Sequence, residues 1–228
     1  GTDVAREAAS LVLLDDDFSS IVEAVRLGRR IYDNLRKAMT YVFAIHLPIA
    51  GMSLLPILFG FPMVLMPLHI VFLELIIDPA CSVAFESEPP HPLIMRRAPR
   101  DPRARLFDRQ TMRLVLFQGL GLFLIALGAF VISLYRGQGE MDARAISFTT
   151  LILGNLALIW ANRSRTRTIP EILWSQNRPL WGITAGALLL LAIVLYVPSI
   201  RTLFQFSVLH AEDIAVSVIL AMLSVTWI

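Results

Sequence analysis

Six apolar runs, each near the length that spans a bilayer, constrain this chain more than any other feature. At about 20 residues per crossing, they cover Tyr41 to Phe59, Met63 to Phe85, Met112 to Tyr135, Ala145 to Ala161, Leu180 to Val197 and Ala211 to Ile228; the fourth and sixth are short. Hydrocarbon offers a backbone no hydrogen-bond partners, so each run is read as a helix that pairs its own N–H and C=O groups. Composition agrees. Of 228 residues, 56% are hydrophobic and only 17% charged, with a mean hydropathy of +0.67, which an ordinary soluble domain does not show. The expected fold class is a mainly α, polytopic membrane protein.

The net charge of +2 is concentrated in loops. Arg26, Arg29, Arg30, Arg36 and Lys37 precede the first run; Arg96, Arg97, Arg100, Arg103, Arg105 and Arg109 join the second to the third; Arg163, Arg165, Arg167 and Arg178 join the fourth to the fifth. The alternate connections are poorer: Gly60-Phe61-Pro62 has no charge, Arg136 to Arg144 mixes Arg with Glu140 and Asp142, and Ser199 to His210 has only Arg201. The positive-inside rule then places the three basic segments, and both chain ends, in the cytoplasm, with the plasma membrane as the expected location. The basic excess is a topology signal and no nucleic-acid partner is expected. The Arg-rich stretch from Arg96 to Arg113 carries docking of a cytoplasmic domain, or of anionic lipid, as its second reading. Cys81, the only cysteine, excludes a disulfide framework and a multi-Cys zinc site. Gly1-Thr2-Asp3 lacks an initiator Met and Trp227-Ile228 ends inside an apolar run, so the chain is read as part of a longer polypeptide.

Glu74 and Asp78 interrupt the second run. An Asp at the centre of a membrane helix costs about 2.5–3.5 kcal/mol on insertion scales, which favours a functional reading over a structural pair satisfied by polar neighbours. Spaced i, i+4, the two acids share a helix face and can converge on one cation. Pro79 has no N–H and disfavours α geometry at Asp78, so the helix is expected to loosen there and free carbonyl oxygens as further ligands. Hard oxygen ligands suit Ca²⁺, Mg²⁺ or Mn²⁺ better than copper or zinc; a proton or monovalent cation stays open. His46, close to Pro48, reads either as a packed or capping imidazole or as a group for ion coordination or proton exchange. His69 lies off the Glu74 face and reads as structural. Asn155 divides between an interhelical hydrogen bond and a ligand role. Trp160, Trp174, Trp181 and Trp227 read as interface anchors.

The lead has another texture. Ala9 to Leu14 is a short, mostly apolar run ended by Asp15-Asp16-Asp17, expected to form a buried strand. Asp17 and Ser19 offer N-caps for a segment with apolar residues at Ile21, Val22, Val25, Ile31, Leu35 and Ala38. No proline interrupts it before the membrane. One long helix is therefore expected to pass from a soluble domain straight into the first crossing.

Together these stretches resemble the P-type cation ATPases. Gly1-Thr2-Asp3-Val4-Ala5-Arg6-Glu7-Ala8-Ala9, followed by Val12-Leu13-Leu14-Asp15-Asp16-Asp17-Phe18, is similar to the close of their phosphorylation domain. Gly28 to Lys37 resembles the stalk of their fifth membrane helix. Glu74-Leu75-Ile76-Ile77-Asp78, ending in Glu86-Ser87-Glu88-Pro89-Pro90, is similar to their sixth helix and its acid-Pro-Pro turn. The resemblance implies helices five to ten of a ten-helix pump, closest to the calcium-pump branch. Residues 1–20 would then end a cytosolic α/β phosphorylation domain, 21–40 form the stalk, and 41–228 the six-helix cation-transport domain. In that family the Asp of a DKTGT motif is phosphorylated by ATP and a GDGxNDxP motif helps hold Mg²⁺. Neither motif stands in this sequence. The resemblance therefore assigns ATP, Mg²⁺, the catalytic residues and the fourth-helix Pro-Glu motif to an N-terminal part of the same pump, and no catalytic or cofactor-binding residue is expected here.

Carried over by position, Glu74 and Asp78 stand at two ion-ligand positions, Glu74 where calcium pumps usually have Asn. Ile77 replaces a ligating Thr, and Ile49 falls where two-ion pumps place a Glu. His46 takes the neighbouring Asn position, and Asn155 falls where the eighth helix supplies an acid or amide. The implied metal set is Glu74, Asp78, Asn155 and His46, carrying one cation per cycle with Ca²⁺ first. A pump for Mg²⁺, Mn²⁺, H⁺ or a monovalent cation, or a non-catalytic membrane remnant or subunit, is the alternative.

Overall fold

A computed structural model describes residues 2–14, 17–99, 106–163 and 177–226. Eight α-helices occur among them: α1 (Asp3–Ala8), α2 (Ser19–Leu58), α3 (Pro67–Pro79), α4 (Arg109–Tyr135), α5 (Glu140–Arg163), α6 (Arg178–Tyr196), α7 (Pro198–Leu203) and α8 (Ala211–Leu223). A π-helical segment, Ala80–Phe85, continues α3, and a 3₁₀ turn follows at Ile94–Arg96. Among the described residues, five helices are long and apolar enough to cross a membrane: Ser19–Leu58, Pro67–Phe85, Arg109–Tyr135, Glu140–Arg163 and Arg178–Tyr196.

Two expectations are corrected. Ala9 to Leu14 forms no strand; Leu11 is 60% and Leu14 90% exposed. A strand needs a neighbouring edge for its backbone groups, and the described residues contain no sheet. The sixth expected crossing, α8, has 13 residues, about 20 Å at 1.5 Å per residue, against hydrocarbon about 30 Å thick. The Arg165 and Arg167 loop, with Arg100, Arg103, Arg105, Trp174 and Trp227, lies outside the described residues.

The single helix expected from the stalk into the first run is α2, unbroken over 40 residues despite Pro48 and Pro56. Just before its start the Asp17 carboxylate accepts the Ser19 N–H (2.9 Å) and hydroxyl (2.6 Å), while the N-cap position itself is Phe18, which has no side-chain cap. These bonds hold the Asp17 carboxyl below its usual range. The apolar residues of its first half, Val22, Val25, Ile31 and Leu35, are exposed rather than packed.

The bundle is organised around α5, whose residues Ala143 to Ile152 are all buried. One buried core joins it to Tyr41, Ile45 and Met52 of α2, Leu122 and Phe130 of α4, and Leu73 of α3, each no more than 1% exposed. Small residues let the helices approach closely. Pro48 has no N–H to give the Ala44 carbonyl, and Gly119 of α4 lies over that carbonyl so closely that a Cβ there would stand 2.7 Å from the oxygen. Gly51 of α2 similarly accommodates the Phe123 ring.

Two polar ends close the bundle. At one, the Arg144 guanidinium, 4% exposed, donates to the Met63 carbonyl (3.1 and 3.0 Å) and the Gln205 carbonyl (3.2 Å). Beside it His69 accepts the Met66 N–H at Nδ1 (3.1 Å) and donates from Nε2 to the Phe204 carbonyl (2.9 Å), among Phe148, Phe204 and Phe206. His69 is thus a helix cap and packing residue. At the other end the chain after the π-helical segment folds back on α2, where Arg29 donates to the Ile94 (2.7 Å) and Arg97 (2.8 Å) carbonyls.

Candidate ion site and its anchoring

The intramembrane acids sit where α3 changes geometry. Pro79 deprives the Leu75 carbonyl of its α partner, the Ala80 N–H is shared between the Ile76 and Ile77 carbonyls, and the helix then widens into the π-helical segment Ala80–Phe85. Such widenings are rare and concentrate at functional sites. The expected loosening thus takes the form of a wider helix rather than unwound backbone. The Asp78 carbonyl is occupied, accepting the Ser82 hydroxyl at 2.7 Å.

Of the four residues read as ligands, the structure pairs two. His46 of α2 donates from Nδ1 to the Val42 carbonyl (2.8 Å), which turns Nε2 toward Glu74, 3.6 Å from its Oε1. Both side chains are part-exposed, 48% and 38%, and Asp78, one turn on, is exposed. Asn155 of α5 is completely buried. Its Oδ1 accepts the Tyr41 hydroxyl, while its Nδ2 is buried without a partner among the described residues. A phenol accepts as well as donates, so turning the amide over would keep the Tyr41 bond and present oxygen in place of nitrogen. No three His, Cys, Asp or Glu side chains among the described residues converge closely enough to hold a metal.

Sequence reasoning missed the anchor at the foot of this site. Glu88, ending the turn after the π-helical segment, meets Arg163 at the end of α5 with Oε2 2.5 Å from Nε, both side chains 3% exposed. Asn177 donates to the same Oε2 (3.0 Å) and to the Ala84 carbonyl (2.9 Å), and its Oδ1 caps the Leu180 N–H of α6 (3.1 Å). From α2, Arg30 and Asn34 donate to the Glu88 carbonyl at 3.0 and 2.9 Å. Four segments therefore meet at one residue. The signal was available: an acid after one apolar run and an Arg directly after another. Spacing alone could not join them.

A second tie joins α2 to α4. Asp108 caps α4 by accepting the Thr111 N–H (2.6 Å) and pairs with Arg36 (2.9 Å). The Thr111 hydrogen bonds, then Arg36, bring its carboxyl down to about 2. Elsewhere, Trp160 packs edge-on against Trp181 with centroids 4.8 Å apart and donates to the Thr184 hydroxyl at 3.2 Å.

Residues 62–228 match the family described as "Cation transporting ATPase, C-terminus". The chain belongs to the P-type cation-transporting ATPases. It is 33% identical over 90% of its length to a calcium-transporting ATPase of Bacillus subtilis, covering 23% of that protein. It is 34% identical over 97% of its length to a calcium-transporting ATPase of Listeria monocytogenes, covering 25%. It is 31% identical over 90% of its length to a probable cation-transporting ATPase F of Mycobacterium bovis, covering 23%. This P-type ATPase chain thus spans about a quarter of the length of the curated relatives it matches, and corresponds to their C-terminal membrane region.

Proposed function

We propose that this chain supplies the C-terminal membrane part of an ATP-driven pump that moves Ca²⁺ across the plasma membrane, with both ends on the cytoplasmic side. ATP and Mg²⁺ would act on the N-terminal part of the same polypeptide, the translocase proper, while α2 and α3 supply ligands to the ion. The observation that carries this reading is Glu74 facing His46 across α2 and α3, one helical turn from Asp78 and beside a proline-initiated π-helical segment. Part-exposed acids in an apolar helix need a counter-charge or a further helix, and a cation held with a neighbouring segment satisfies both. The Ca²⁺ assignment is supported by the relatives that are calcium-transporting ATPases and by the oxygen ligands. Residues 1–20, 21–40 and 41–228 are assigned to the end of the phosphorylation domain, the stalk and the transport domain.

The test is ATPase stimulation of the full-length protein in lipid across Ca²⁺, Mn²⁺, Mg²⁺ and pH, with Glu74→Gln and Asp78→Asn alongside. Ca²⁺ should stimulate most, and each variant should raise the half-activating concentration at least about tenfold, equivalent to about 1.4 kcal/mol. Stimulation by another cation would replace the ion assignment. Unchanged ion dependence in both variants would remove Glu74 and Asp78 from the site.

A further inference from the structure

The ion reading leaves unused a basic cavity at the Glu88 end of the bundle. Half-open and about 180 Å³ in volume, it lies between the first half of α2 and the chain from Pro89 to Arg97. Among the described residues, Arg30, Arg36, Lys37 and Arg97 line it, against a single carboxylate, Asp33. That carboxylate is taken by Arg97 at 2.8 Å. Arg36 shares Asp108 from outside the cavity, and its Nε is buried with no hydrogen-bond partner among the described residues. Arg30 donates to the neutral carbonyls of Glu86 and Glu88, and no carboxylate among the described residues pairs with it.

Depth gives the second argument. On α2 the charged residues stop at Lys37, and from Ala38 to Phe59 the helix carries only His46 as a titratable group besides Tyr41. Residues Thr40 and Asn162 at the cavity's inner edge are buried. On α4, Arg109 and Arg113 precede the apolar stretch from Leu114. The cavity therefore lies where hydrocarbon gives way to the headgroup layer, the depth at which basic pockets between helices take anionic headgroups.

We propose that this cavity binds a phosphate-bearing anion, with Arg30, Arg36 and Lys37 as its donors. A phosphoryl group presents three acceptor oxygens, and a planar guanidinium meets two of them at once. Held there, the anion ties α2 to the Pro89–Arg97 segment and gives the Arg30 guanidinium a counter-charge. Its chemistry is met equally by a phospholipid headgroup or by soluble phosphate, and the test separates them.

The full-length protein is reconstituted in nanodiscs of phosphatidylcholine alone or with phosphatidylglycerol, and lipid retained after detergent extraction is counted by native mass spectrometry. Thermal unfolding is followed in the neutral discs with and without inorganic phosphate. Lipid origin predicts that phosphatidylglycerol is retained and that Arg30→Gln with Lys37→Gln weakens retention about thirtyfold, the loss expected for two basic charges at a membrane surface. Soluble origin predicts a rise in Tm with phosphate in neutral discs, abolished by the same pair. Arg26→Gln, whose parent residue pairs with Glu23 outside the cavity, should change neither readout. Because Arg30 also holds the Glu88 turn, Lys37→Gln alone is measured beside the pair and should carry part of the loss. Binding of neither probe by the wild type, as when another part of the polypeptide fills the cavity, overturns the proposal. So does equal weakening by Arg26→Gln.

Discussion

His46 and Glu74 face each other from two different helices, Nε2 to Oε1 at 3.6 Å, with the other imidazole nitrogen committed to the Val42 carbonyl at 2.8 Å. The commitment of Nδ1 fixes which nitrogen the carboxylate meets. If both act on one ion, their effects are coupled: in a double-mutant cycle on cation activation, His46→Ala and Glu74→Gln should deviate from additivity by about 0.5–3 kcal/mol. Strict additivity would mean that the two residues serve separate purposes.

The Glu88–Arg163 pair predicts a large stability effect. Removing one partner of a buried ion pair strands the other charge, so Glu88→Ala or Arg163→Ala should each lower unfolding stability by about 3–5 kcal/mol. Replacing both by Met should recover most of that loss, because the desolvation cost disappears with the charges. Thermal unfolding of the full-length protein in detergent reads both. Single variants within about 0.5 kcal/mol of wild type would show that the pair does not anchor the bundle.

The glycines of α2 and α4 predict opposite signs. Gly119→Ala forces a methyl against the Ala44 carbonyl, backbone that cannot rotate away, and should cost about 1–3 kcal/mol. Gly28→Ala meets nothing within 4 Å and sits inside a helix, so it should stabilise by about 0.5–1 kcal/mol. The same unfolding measurement decides both, and a neutral Gly119→Ala would contradict the close approach of α4 to α2.

Asp108 predicts a pH window. Its folded-state pKa, about 2, lies below the ordinary carboxylate value of 3.8, so its contribution is complete above the unfolded pKa and lost only as pH falls through the folded one. The difference in Tm between wild type and Asp108→Ala should therefore be equal at about pH 7 and about pH 5, and shrink only below about pH 4. A difference already halved at about pH 5 would mean that the Thr111 and Arg36 contacts do not hold the carboxylate.

Much of this architecture was legible in the sequence because it follows from length and polarity. Continuous apolar runs state where helices cross, and the absence of a breaker between Ser19 and Tyr41 states that α2 continues. The Glu74–Asp78 spacing gave a shared face, and Pro79 marked the change in helix geometry. Partner choice was the unreadable part. Glu88 and Arg163 are 75 residues apart, and nothing in either neighbourhood names the other. The sequence divides Asn155 between an interhelical hydrogen bond and a ligand role, and its oxygen accepts the Tyr41 hydroxyl of α2. The apolar stretch Leu11 to Leu14 has the pattern of a strand, and pattern reports willingness to be buried without supplying the edge that would bury it.

The uninterrupted course of α2 has a mechanical consequence. Arg30, tied to the Glu88 turn, and His46, beside Glu74, lie about 24 Å apart along one rod at 1.5 Å per residue. Tilting that rod by about 5° about its tethered level carries the imidazole sideways by about 2 Å. That is more than half the present gap between His46 and Glu74. A small change of angle where the rod meets water is enough to open or close the contact deep in the bilayer.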